Sequence, residues 1–143
     1  MQYSTVFLAL LATAASAAPA PTTVSAMAEV KPWIIKSFTR SCSPDLKYCT
    51  VKFDIDTQVA PATHCEYIVS GNPATRASAS ATCGPYAVTS NWSGQFGEGR
   101  GFTTWAVVDA SKNLITWPSY ADTELVNGKA VVPDKSYAPA KLF

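Results

Sequence analysis

Cys49-Thr50-Val51-Lys52-Phe53-Asp54-Ile55-Asp56 alternates without a break. Cys49, Val51, Phe53 and Ile55 fall on one side of an extended chain, and Thr50, Lys52, Asp54 and Asp56 on the other. That period of two predicts a strand with one buried and one wetted face. Working outward, Trp33 to Arg40 is expected to pair with it as a hairpin, with turn chemistry at Ser43-Pro44-Asp45. Further strands are expected at His64–Ser70, Tyr86–Trp92, Phe102–Asp109 and Asn113–Trp117. Asn127-Gly128, between Leu125-Val126 and Ala130-Val131-Val132, has the dipeptide favoured in tight hairpin turns. Strands separated by turn signals predict an all-β fold, a small antiparallel β-barrel or sandwich.

The 143 residues suit one domain. Eleven Lys+Arg against ten Asp+Glu leave a formal charge of +1, with 15% of residues charged. Such a balance argues against nucleic acid as partner, because phosphate binding needs a clustered basic excess. It also gives no polybasic patch for an anionic membrane surface.

Residues 1–17 read as a signal peptide: no charged side chain precedes Glu29, Thr5 to Ala15 is apolar, and Ala15-Ser16-Ala17 is a small-x-small cleavage site. The n-region departs from the usual pattern in lacking Lys or Arg. The alternative is a buried N-terminal helix of the mature fold. Residues 18–31, rich in Ala, Pro and Thr, read as a flexible leader, and residues 32–143 as a single β domain. The later sequence contains no transmembrane segment of apolar residues.

Secretion bears on Cys42, Cys49, Cys65 and Cys83. An even count in an oxidising compartment implies two disulfides. Three connectivities are possible; Cys42–Cys49 with Cys65–Cys83 is favoured because each staples neighbouring segments. No metal site is expected: Cys-x-x-Cys is absent and His64 is the only imidazole. Asn91-Trp92-Ser93 is a glycosylation sequon.

A catalytic reading would centre on His64 as a base for a serine, or on a carboxylate pair drawn from Glu66, Glu98, Asp109, Asp122 and Glu124. No motif sets a serine beside His64, so no catalytic residue, no enzymatic activity and no cofactor are expected. The segment Trp92 to Phe102 places four glycines among aromatics, Glu98 and Arg100. One reading is a glycine-kinked connection with its aromatics packed inward. The other is an exposed loop presenting Trp92, Phe96, Glu98 and Arg100 to a partner, since aromatics and Arg dominate binding hot spots. Trp105 is expected in the core, whereas Trp117 and Trp92 are the candidates for stacking on sugar rings.

Three blocks carry a resemblance: Trp33-Ile34-Ile35-Lys36-Ser37-Phe38-Thr39-Arg40-Ser41-Cys42; Cys83-Gly84-Pro85-Tyr86; and Trp92-Ser93-Gly94-Gln95-Phe96-Gly97-Glu98-Gly99 through Gly101-Phe102-Thr103-Thr104-Trp105. With the ending Tyr120 to Pro139, they are similar to the fungal hypersensitive-response-inducing protein elicitors, a group that includes a small secreted elicitor of the rice blast fungus. A remoter architectural similarity is to the β-barrel of the major Alternaria allergen family. The resemblance implies a secreted effector acting in the host apoplast on a plant plasma-membrane or cell-wall component and provoking cell death and defence responses. It implies no catalytic residues. The alternatives are a cell-wall carbohydrate-binding protein using Trp117 and Trp92, and a small hydrolase centred on His64 or Glu98.

Overall fold

A computed structural model describes residues 30–143. The expected signal peptide and most of the leader lie outside the described residues. Two antiparallel sheets face each other as an all-β sandwich. The first has the order β3 (Thr63–Ser70), β2 (Tyr48–Asp56), β1 (Trp33–Cys42), β9 (Lys135–Tyr137). The second runs β10 (Ala140–Lys141), β7 (Leu114–Thr116), β6 (Phe102–Asp109), β5 (Tyr86–Ser93), β4 (Ala79–Cys83), and β8 (Ser119–Ala121) also pairs with β6. Among the described residues no helix is long and apolar enough to cross a membrane.

The alternation in β2 is realised: Cys49, Val51, Phe53 and Ile55 are buried, while the intervening side chains face out. In β1 the alternation changes phase. A bulge lies between Lys36 and Thr39, and Ser37 adopts a positive φ of 52°. Trp33 and Ile35 point inward before the bulge, Phe38 and Arg40 after it. One extra residue thus moves an aromatic and a cation to the inner face. The backbone N–H of Ser37 donates to Asp134 Oδ1 at 2.9 Å, tying the bulge to the C-terminal segment.

Phe38 anchors the core. Its ring stacks on Tyr120 at 4.2 Å and on Phe53 at 5.3 Å, and meets Trp105 edge-on at 4.7 Å. The Trp105 indole N–H donates to the Tyr67 hydroxyl at 2.6 Å, which satisfies the polar end of a buried aromatic. Both favoured disulfides are present. Cys42–Cys49 closes the β1–β2 hairpin, and the buried Cys65–Cys83 bond ties β3 of one sheet to β4 of the other.

The Asn127-Gly128 hairpin is a correction: neither Leu125-Val126 nor Ala130–Val132 is a strand. The segment is stitched instead along β1. The Cys42 N–H donates to Asn127 Oδ1 at 2.6 Å, and the Gly128 and Val131 N–H groups donate to the carbonyls of Arg40 and Phe38 at 2.9 Å each. The tight turn itself forms, closed by the Lys129 N–H donating to the Val126 carbonyl at 2.9 Å, but the Gly128 and Val131 N–H groups serve a neighbouring strand and no hairpin ladder follows. Leu125 and Val131 are buried there.

Candidate functional site

The inward rows of the two sheets converge at one end of the sandwich. Tyr86, Val88 and Ser90 point inward along β5, and Trp92 continues that row past the closely packed region. Arg40 ends the corresponding row of β1 and is 8% exposed. Asp122, just after β8, joins them. The Trp92 indole N–H donates to Asp122 Oδ2 at 2.8 Å, and both terminal nitrogens of Arg40 lie 3.4 Å from Asp122 Oδ1. The Arg76 guanidinium, on the 3-10 turn Ala74–Arg76, sits over the indole at 4.7 Å from its centre. That distance suits a cation–π contact.

Glycine is required where the loop passes the indole. A Cβ on Gly94 would collide with the Trp92 ring, and one on Gly101 would lie 2.5 Å from Asp122 Oδ2 and 2.7 Å from the ring. These two glycines let the backbone lie against Trp92. Gly97 and Gly99 serve differently: a Cβ on either would meet open space, but both have positive φ, at 101° and 73°. They turn the loop tip, closed by bonds from Gly97 N–H to Gly94 O and from Arg100 N–H to Gly97 O. The result is an open groove of about 840 Å³ lined by Arg76, Trp92, Glu98, Asp122, Thr123 and the loop glycines.

The four residues singled out in this loop occupy different positions. Trp92 is half-buried and clamped, forming part of the groove wall. Phe96 is 60% exposed, with its ring stacked on Phe102 at 5.7 Å. Glu98 and Arg100 are exposed and form no ion pair with each other among the described residues. The loop therefore combines both readings: one aromatic packs inward and one is displayed. Arg76 and Arg40 escaped sequence reasoning, and Asp122 entered it only as one of several carboxylates, because each is far along the chain from Trp92 and no local spacing links them.

Of the residues weighed for catalysis, Glu98 and Asp122 line this groove, whereas His64, Glu66, Asp109 and Glu124 are not part of its lining. His64 is exposed on β3, 2.7 Å from Asp54 Oδ1 and 3.3 Å from Glu66 Oε2, and Lys52 lies 3.7 Å from Glu66. These two carboxylates hold the imidazole above its ordinary pKa, Asp54 more than Glu66. Asp109 is buried and accepts from the Ser111 hydroxyl at 2.6 Å; Glu124 pairs with Lys135 at 2.8 Å. Among the described residues no cluster of three or more His, Cys, Asp or Glu side chains is arranged to hold a metal ion. Trp33 and Trp105 are buried, whereas Trp117, between β7 and β8, is 53% exposed. Asn91 is exposed on the outer face of β5.

A family model described as Effector TSP1 matches residues 34–142. The chain belongs to the Effector TSP1 family. A curated relative, Effector TSP1 from Hypocrea virens (strain Gv29-8 / FGSC 10586), is 49% identical over 146 residues, covering 99% of this chain and 99% of that protein. The family and this relative support a fungal effector. The Effector TSP1 match begins in β1 and ends just beyond β10, so it takes in both sheets, both disulfides and the whole groove. The two disulfides are consistent with a secreted effector.

Proposed function

We propose that this effector is secreted to the host apoplast, where it engages a plant plasma-membrane or cell-wall component and triggers hypersensitive cell death and defence responses. The contact is made by its folded surface, through the glycine-rich loop. One observation carries this reading: Phe96 stands exposed at the tip of a loop whose base is clamped through Trp92. An aromatic displayed on a held frame loses little conformational freedom on binding, which favours affinity. Glu98 and Arg100 follow it in the loop and supply charge for orientation.

The test is infiltration of purified oxidised protein into leaves beside a reduced, alkylated and unfolded control, scoring cell death and oxidative burst. The folded protein alone is expected to act. Equal activity of both forms would replace the surface with a linear epitope. Full activity in a correctly folded Phe96→Ala, Arg100→Ala double variant would remove the loop from the contact.

The exposure of Trp117 favours a second reading, binding of an insoluble wall glycan. Retention on chitin or glucan that is lost in Trp117→Ala supports it. Trp92→Ala is less informative, since that indole also carries structure. Both readings describe a binding protein rather than an enzyme. Turnover of RNA or wall glycan that His64→Ala or Glu98→Gln abolishes would overturn them on this point.

A further inference from the structure

The outer faces of the two sheets differ in kind. The face of the first carries Lys36, Lys52, Asp54, Asp56, His64 and Glu66, partly tied in ion pairs. Across β4, β5 and β6 the other face presents Ser80, Thr82, Ala87, Thr89, Thr104 and Ala106, with no charged side chain among them. It ends at β4, Ala79-Ser80-Ala81-Thr82-Cys83, which hydrogen-bonds to no strand on its outer side and is tied to β3 at its Cys83 end. Exposed edges are ordinarily blunted by Lys, Pro or a bulge, and this strand has none of these.

Asn91 stands at this edge. It is exposed on β5, one residue beyond the Ala79–Ser90 pair that begins the β4 register. Ser78 Oγ donates to its Oδ1 at 2.9 Å, which fixes the carboxamide and leaves Nδ2 without a partner among the described residues. Beside it is a shallow depression of about 290 Å³, lined by Ser78, Ala79, Ser80, Thr89, Ser90 and Asn91. Hydroxyls and small side chains without charge form a surface on which a neutral sugar can rest.

We infer that Asn91 is N-glycosylated and that its innermost sugar lies over this depression, covering the free edge of β4. The inference rests on the secretion proposed above, since transfer takes place in the secretory pathway. The sequon Asn91-Trp92-Ser93 meets its sequence requirement. Nδ2 forms a bond to the anomeric carbon of an N-acetylglucosamine on a lipid-diphosphate-linked oligosaccharide. The carbon–oxygen bond to the diphosphate breaks, the lipid diphosphate leaves with the electron pair, and Nδ2 loses one proton. The glycan does for β4 what charge does on the opposite sheet: it prevents a second chain from adding a strand.

The full chain is expressed in a filamentous fungal host, and the protein in the medium is compared by intact mass before and after enzymatic release of N-glycans. Release is expected to lower the mass and convert Asn91 to Asp. Ser93→Ala, which keeps Asn91 and its bond to Ser78, is expected to remove the glycan; Ser93→Thr is expected to keep it. By light scattering, the Ser93→Ala protein is expected to self-associate at concentrations where the glycosylated protein is monomeric. Secreted, folded protein with unmodified Asn91 overturns the inference and leaves the secretion reading intact. Protein confined to the cytosol overturns both. A glycan whose loss leaves the association state unchanged overturns the shielding role.

Discussion

Trp92 and Asp122 are 30 residues apart in sequence and 2.8 Å apart in space, and their hydrogen bond joins the loop's base to the turn just after β8. Asp122 meets Arg40 through its other oxygen, so one carboxylate connects the inward rows of two sheets. Replacing Asp122 with Ala leaves a nearly buried guanidinium without its counter-charge and an indole N–H without an acceptor. The expected cost is about 2–3 kcal/mol. Urea denaturation checks the cost, and a change in native tryptophan fluorescence checks the release of Trp92.

The glycines of the loop are expected to separate into two classes. Gly101→Ala drives a methyl group against the Trp92 ring and Asp122 and is expected to destabilise by about 1–3 kcal/mol. Gly97→Ala meets no atom but must hold a positive φ, at a cost of about 1–2 kcal/mol. The native fluorescence of Trp92 distinguishes them: it is expected to change in Gly101→Ala and to stay as it is in Gly97→Ala.

The disulfides are expected to contribute unequally. Cys65–Cys83 spans 18 residues and ties the sheets together; Cys42–Cys49 spans 7 within one hairpin. On the chain-entropy account their removal costs about 3 and about 2 kcal/mol, respectively. Paired Cys→Ala variants compared in guanidinium test the order. The sheet-to-sheet bond is expected to be the more damaging to lose.

His64 makes stability depend on pH. Its folded pKa is raised above 6.5, first by the hydrogen bond to Asp54 and then by that to Glu66, with Lys52 facing Glu66 from the same side. A raised folded pKa means the protonated imidazole favours the native state. That contribution is complete below the unfolded pKa and is lost as pH rises through the folded one. Stability is therefore expected to fall from mildly acidic to mildly alkaline pH, and His64→Gln to flatten the decline. Denaturation midpoints on either side of neutrality decide this, and an NMR titration of the ring locates the pKa.

Ser37 holds the bulge that turns Phe38 and Arg40 inward. Its positive φ suits glycine and penalises a β-branched residue. Ser37→Gly is expected to be neutral or slightly stabilising, and Ser37→Val to destabilise by about 1–2 kcal/mol. Thermal unfolding of the two variants provides the comparison.

Legibility followed length and locality. The long alternating strands around Phe53 and Trp105 announce themselves because their period persists through eight or nine residues. β9 and β10, three and two residues long, are too short to establish one. β4 is built from small residues of weak strand preference and takes its place through pairing with β5 and the Cys65–Cys83 bond. The Ser37 bulge has no signature in its own sequence, since it arises from the register with β2 and the bond to Asp134. In the site, the unusual loop was visible from its glycines and aromatics. Its supports were not: Arg76 and Asp122 come from other elements, and only folding makes them neighbours of Trp92.

The clamp on Trp92 also divides the loop into a part that folding scrutinises and a part that it does not. Gly94, Gly101 and the indole are held by close contacts, so substitutions there are filtered by stability. Gln95, Phe96, Glu98 and Arg100 project from the tip into solvent, and changing any of them leaves the core untouched. An effector built this way can alter the face it shows a host, by single substitutions at four positions of one loop tip, while the frame behind that face stays the same.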